Sequence, residues 1–223
     1  PVHPRAPTPI APGAHPRSAP DSLPIRSSGA QDRRDHLDLG LALEMQDRLP
    51  EAEQAYRAAV TADPTFAEAL NNLGVLLRDT ERTDEAVRTL REAVRVRPGF
   101  ASAQLNLALA LEEQGDVVAA MASYRRVIEL APREPTARVQ LGLLQLATGD
   151  RDQALITLRR AVQPAAGDRA TLSALGSGLR RAGDASMAVR VLRESIEAAE
   201  SPAPGAVSAE LAHALFAAHP RPE

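Results

Sequence analysis

Residues 67–100 read AEALNNLGVLLRDTERTDEAVRTLREAVRVRPGF, and residues 101–134 read ASAQLNLALALEEQGDVVAAMASYRRVIELAPRE. Set one above the other, they align Leu73 with Leu107, Ala86 with Ala120 and Pro98 with Pro132, each pair 34 residues apart. The same step carried outward gives Leu39, Leu73, Leu107, Leu141 and Leu175, and also Ala52, Ala86, Ala120, Ala154 and Ala188. Val60, Val94, Ile128, Val162 and Ile196 form a column that is β-branched throughout. Gly40, Gly74, Gly142 and Gly176 share another step, with Ala108 in the gap, and Gly115, Gly149 and Gly183 share a third, each followed by Asp. A fixed period of this length marks a repeat array.

Each window reads as two helices. Leu73, Leu76 and Leu77 fall on one helical face, and Ala86, Leu90, Ala93 and Val94 fall on one face of a second helix. Thr80 to Asp84 is polar and interrupts the apolar pattern. The small residue of the first helix (Gly74, Ala108) is expected to meet the small residue of the second (Ala86, Ala120), letting the two axes approach. Pro98 and Pro132 end the second helix, because proline lacks an amide and clashes with the preceding turn. Gly115-Asp116, Gly149-Asp150 and Gly183-Asp184 mark tight turns, with Gly in the left-handed region and Asp capping the next helix.

The pattern resembles the tetratricopeptide repeat family. The residues that carry the likeness are Leu73-Gly74, Leu77, Ala86, Leu90, Ala93 and Pro98, with Leu107-Ala108, Leu111, Ala120, Tyr124, Val127 and Pro132 as their counterparts. It extends over five copies, at about 33–66, 67–100, 101–134, 135–168 and 169–202. The resemblance implies an all-α fold, a right-handed α-α superhelix of stacked hairpins. Two family features are altered. The aromatic usual at the start of the first helix is replaced by His36, Leu70, Gln104, Arg138 and Leu172, and the terminal proline column ends in Ala166 and Glu200.

Composition limits the alternatives. Hydrophobic residues make up 44% of the 223-residue chain but aromatic residues only 2%, so Ala, Leu and Val must supply the packing. A solenoid of such pairs grows unit by unit, without one central core. All 26 basic residues are Arg, a bias that fits GC-rich codon usage better than a selected surface. A net charge of −3 argues against general nucleic-acid binding, which requires clustered cations. Without Cys there is no disulfide, thiolate metal site, covalent haem or thiol chemistry. No apolar run reaches membrane-spanning length. The chain begins at Pro1, which favours an exported, processed protein over a cytoplasmic one.

Residues 1–31 differ from the rest. Eight prolines fall within the first 24 residues, so the segment is expected to be an extended, proline-rich arm or linker. It carries Arg5, Arg17 and Arg26 against Asp21, net +2, which leaves −5 of the total −3 on the remaining chain. At the other end, 203–223 is expected to hold a capping helix at Ala206 to Ala218, with Leu211, Leu215 and Phe216 on one side.

No catalytic constellation is found, and neither a cofactor nor a metal is expected. His3, His15, His36, His213 and His219 lack ligand spacing, and Glu112 and Glu113, near Asp116, are adjacent on their helix and so point in different directions. Gly176-Ser177-Gly178 with Gly183 imitates a phosphate loop, but no strand precedes it and two of its glycines belong to repeat columns.

The family resemblance implies a concave groove lined by the first helix of each pair. Carried over, its ligand-facing residues are Leu37, Leu41, Asn71, Val75, Leu105, Leu109, Val139 and Leu143. A second, amide-rich row is Asp38, Asn72, Asn106 and Gln140, resembling the asparagine ladders of peptide-binding arrays. Asn72 and Asn106 pairing locally between helices is the competing reading. An acidic rim follows at Glu44, Asp79, Glu112 and Glu113. Leu37, Leu41, Ser102 and Asn106 stand where a carboxylate-clamping co-chaperone groove needs cations, so that type is not expected.

Three functional classes follow. The first is a non-enzymatic scaffold that binds a protein or extended peptide in the groove. The second is a self-assembling subunit, filament or oligomer, whose arm docks into a neighbour's groove. The third is a substrate-presenting part of an enzyme whose catalytic domain lies elsewhere.

Overall fold

The structure is a computed structural model that describes residues 28–163, 169–197 and Ala214. Among the described residues there are ten helices and no strand. They alternate as first and second members of five pairs: α1 (Ser28–Glu44) with α2 (Leu49–Ala62), α3 (Ala67–Asp79) with α4 (Thr83–Val96), and α5 (Ala101–Gln114) with α6 (Val117–Leu130). Then come α7 (Pro135–Ala147) with α8 (Arg151–Arg159), and α9 (Arg169–Ala182) with α10 (Ala185–Glu197). The two helices of each pair pack on one another, and successive pairs pack together chiefly through the second helix of one and the first helix of the next, as an α-α solenoid requires.

What sets the distance within a pair is a glycine under a bulky side chain. A methyl group built on Gly40 would lie 2.4 Å from the Tyr56 ring. On Gly74, Gly142 and Gly176 it would lie 2.5, 2.6 and 2.5 Å from Leu90, Leu158 and Leu192. These four partners, with Tyr124 in the third pair, form one 34-residue column and are completely buried. This corrects the expectation that Gly74 meets Ala86. The residue over the glycine is Leu90, one helical turn further on and on the same face, while Ala86 is buried beside it. Small and large residues therefore interlock across each pair. Two apolar clusters run the length of the stack, one from Leu43 to Leu144 and one from Val139 to Ala214, and α7 contributes to both.

The helix ends follow the expected chemistry. α2, α4 and α6 stop two residues before Pro64, Pro98 and Pro132. The Asp116, Asp150 and Asp184 carboxylates accept hydrogen bonds from the amides of Ala119, Gln153 and Met187 at 3.1, 3.2 and 3.0 Å. Gly115, Gly149 and Gly183 have φ of 85°, 88° and 100°. In the first two pairs the same left-handed turn position is held by Asp47 and Glu81, at φ 59° and 61°. A side chain is unfavourable there by about 1–2 kcal/mol.

Of the arm expected at 1–31, the last residues already belong to α1, which begins at Ser28, and 1–27 lie outside the described residues. Within 203–223 the described residue is Ala214, helical and buried in the C-terminal cluster; the other residues of the expected cap lie outside.

Two substitutions test this frame. Glu81→Gly should raise unfolding stability by about 0.5–1 kcal/mol, the relief of left-handed strain outweighing the added freedom of the unfolded chain. Gly142→Val should lower it by about 1–3 kcal/mol through overpacking against Leu158. Urea denaturation followed by circular dichroism reads both.

Candidate functional site

The first helices make one wall of the stack. Among the described residues α3 touches α5 and α7 touches α9, whereas no two successive second helices approach as extensively. The array therefore bends towards its first helices, and their free faces line its inner side.

On that wall Leu37, Val75, Leu105, Leu109 and Leu143 are half-buried, and Leu41 is 41% exposed. Leu37, Leu105 and Leu109 have their inner edges against the core. Asn71 and Val139, from the same row, are buried instead, at 9% and 2% exposure. Asp38 is exposed, and Asn72, Asn106 and Gln140 are half-buried. Val139 and Gln140 line a notch of about 220 Å³ between α7 and α9, closed on the other side by Ala170 and Ala174.

The amides form a relay. Asn106 Nδ2 donates to Asn71 Oδ1 at 2.9 Å, and Asn71 Nδ2 donates to Asn72 Oδ1 at 3.2 Å. Asn106 thus pairs between helices, as in its competing reading, whereas the bond from Asn71 to Asn72 lies within α3. The relay is anchored at the buried Asn71, so both outer amides are held in fixed orientation.

The rim acids have partners. The Tyr56 hydroxyl donates to Glu44 Oε2, and the Tyr124 hydroxyl donates to Glu112 Oε2, both at 2.6 Å. Burial, then the carboxylate that each faces, pushes both tyrosine hydroxyls well above the ordinary tyrosine range. Arg78 pairs with Asp79 at 2.8 Å and reaches Glu113 at 3.6 Å. Burial raises the Glu113 carboxyl, opposed by Arg78 and reinforced by Asp79 and Glu112.

Sequence reasoning did not single out Tyr56 and Tyr124. Their signal was available as a paired substitution. Where the second helix carries Tyr instead of Leu, the first carries Glu44 or Glu112, while the same column elsewhere reads Arg78, Leu146 and Arg180. Among the described residues no three metal-ligating side chains converge.

A curved stack of helical hairpins with an apolar inner wall is the architecture of helical-repeat interaction proteins. Tetratricopeptide repeat family models match residues 26–67, 71–135 and 111–177, well over half of the chain, and the protein belongs to that family. Comparison with curated protein sequences gave no match. Solved structures share the fold at low identity. A MamA protein is 22% identical, with a TM-score of 0.64 over 76% of this chain and 92% of its own. YrrB, described as a TPR protein with an unusual peptide-binding site, is 20% identical, with a TM-score of 0.62 over 85% of this chain and 93% of its own. TTC0263, a TPR protein of Thermus thermophilus, is 22% identical, with a TM-score of 0.62 over 82% of this chain and 99% of its own.

Tyr56 and Tyr124 are the two tyrosines of the chain, which makes their environment measurable. Their folded-state pKa values are raised, so the associated stability is complete below about pH 10, where free tyrosine ionises, and declines as pH rises above it. Tyrosinate absorbance should therefore stay flat through pH 10 and rise only with loss of helicity. An ordinary titration in the folded state would contradict the burial.

Proposed function

We propose that the protein is a non-enzymatic scaffold that holds an extended segment of a protein partner along the wall of first helices. The observation that carries this reading is the line of half-exposed aliphatic side chains from Leu37 and Leu41 through Val75, Leu105 and Leu109 to Leu143. It ends at the notch beside Val139 and Gln140, a space suited to one aliphatic or proline side chain. The amide relay adds direction. With Asn71 committed on both sides and the Asn72 side chain also bonded to the Tyr56 hydroxyl, the acceptor of Asn106 is pre-oriented for a peptide backbone. The fold is compatible with this use, since YrrB is described with a peptide-binding site, and the first TPR domain of Spaghetti (RPAP3) was solved bound to an HSP90 peptide.

The acids steer less than their number implies. Glu44 and Glu112 face tyrosine hydroxyls, and Asp79 and Glu113 share Arg78. Affinity then rests mainly on the aliphatic floor, with a moderate salt dependence.

A second reading is favoured by charge: residues 1–31 carry net +2 and several prolines, against −5 on the rest of the chain. In this reading the ligand is the arm of another copy, and the assembly grows head to tail.

Leu105→Arg combined with Leu109→Arg should weaken binding of an aliphatic, proline-containing peptide at least tenfold in fluorescence anisotropy, with unchanged helicity. Unchanged affinity would remove the inner wall from the mechanism. A synthetic peptide of residues 1–31, together with light scattering of the chain with and without them, separates the two ligands. Mass that falls on deletion supports self-assembly, and a monomer in both cases rejects it.

A further inference from the structure

A second cleft, of about 240 Å³, opens away from the inner wall, between the second helices α6 and α8 with α7 as its floor. Its polar lining is Arg125, Arg138, Gln145, Gln153, Thr157 and Arg160, with no carboxylate. We propose that this cleft binds a carboxylate presented by an acidic peptide segment.

Three observations converge on it. The first is the floor. Gln145 occupies a column that otherwise reads Leu43, Leu77, Leu111 and Leu179, all buried. It is as buried as they are, at 3% exposure, yet its Oε1 has no hydrogen-bond partner. A buried, unpaired amide oxygen is destabilising, and leucine at the same place elsewhere shows that the fold does not need an amide there. Arg138, seven residues earlier on the same helix face, stands in a mixed column of His36, Leu70, Gln104 and Leu172. It donates to the carbonyls of Pro132 and Glu134, which hold the guanidinium at the cleft.

The second is the loss of counter-charges. Between the first two pairs, the equivalent of Arg125 is Arg57, which meets Glu85 across the second helices at 3.3 Å. The position equivalent to Glu85 is Gln153, so Arg125 has no carboxylate to meet. The column of Arg160 reads Ala58, Glu92, Arg126 and Glu194 in the other pairs. Neither Arg125 nor Arg160 forms an ion pair or side-chain hydrogen bond among the described residues. Three guanidiniums thus surround a space whose lining holds no carboxylate.

The third is the match of groups. Guanidinium forks bind carboxylates with two parallel hydrogen bonds. The Gln145 amide offers an acceptor and donors at the bottom of the cleft, so the ligand needs an N–H beside its anionic group. A glutamate or aspartate within a peptide carries both, in its side chain and its backbone amide. The volume admits one such side chain, and Ile128 and Leu141 pack beside its methylenes.

The test uses the full chain and titrates end-capped hexapeptides of alternating aspartate and glutamate, with their asparagine and glutamine counterparts as controls, by calorimetry at low salt. Binding of the acidic peptide should exceed that of the neutral one at least tenfold and weaken with added salt. Arg160→Glu should reduce it at least tenfold. Gln145→Leu, which restores the column residue, should reduce it likewise while raising the melting temperature, so that lost binding is not lost folding. Equal binding of both peptides, or indifference to Gln145→Leu and Arg160→Glu, would overturn the proposal. So would inorganic phosphate binding the cleft as tightly as the acidic peptide.

Discussion

The contact on which everything else rests is a bare α-carbon under a large side chain, repeated every 34 residues: Gly40 under Tyr56, Gly74 under Leu90, Gly142 under Leu158 and Gly176 under Leu192. Because the glycine has no side chain, the leucine or tyrosine lies directly on the first helix and the two axes come close. Its complete burial contributes about 1.5–3 kcal/mol for each such residue. That closeness is local to the pair. Between pairs α3 touches α5 and α7 touches α9, whereas the successive second helices stand further apart, and that difference bends the array. The inner wall is thus a consequence of where the glycines lie and not of any residue on the wall itself.

The third pair departs from this pattern in a compensated way. Ala108 replaces the glycine, and the bulky partner is Tyr124 instead of leucine. A tyrosine in this column brings a hydroxyl into a fully buried place, where it requires a partner, and Glu112 supplies the acceptor. The first pair repeats the solution with Tyr56 and Glu44. Hydroxyl and carboxylate satisfy each other, so part of what looked like a ligand-facing acidic rim is the polar end of the core. The charge remains, but its direction is set by the tyrosine.

Much of the fold was legible because a repeat states the same constraint five times. The period, the helix pairing, the proline stops and the Gly-Asp turns each follow from local chemistry in a single column. The partner of Gly74 was misjudged because Ala86 and Leu90 share a helical face, and periodicity cannot say which of two residues one turn apart lies over the neighbouring axis. The wall was legible in outline only. Asn71 and Val139 occupy the same register as Leu105, yet the packing of neighbouring helices closes over them, a tertiary effect that spacing does not encode. Nor does spacing reveal that Asn106 donates to Asn71 and that Asn71 in turn donates to Asn72.

Columns also give meaning to exceptions. A buried glutamine in an ordinary core invites many explanations, but Gln145 can be compared with four leucines in the same surroundings, and the fold is satisfied by any of them. Selection for stability alone favours leucine there, since the amide loses solvation and its oxygen gains no partner. Arg138 lines the same cleft, with Arg125 and Arg160, which have no ion pair among the described residues. A polar lapse in a repeat is drift when it stands alone; the buried amide of Gln145, opening onto a space lined by three guanidiniums and no carboxylate, points to a ligand that completes it. A fold built from identical units can carry a specific site only by breaking its own repeat, and the fourth pair is where it does so.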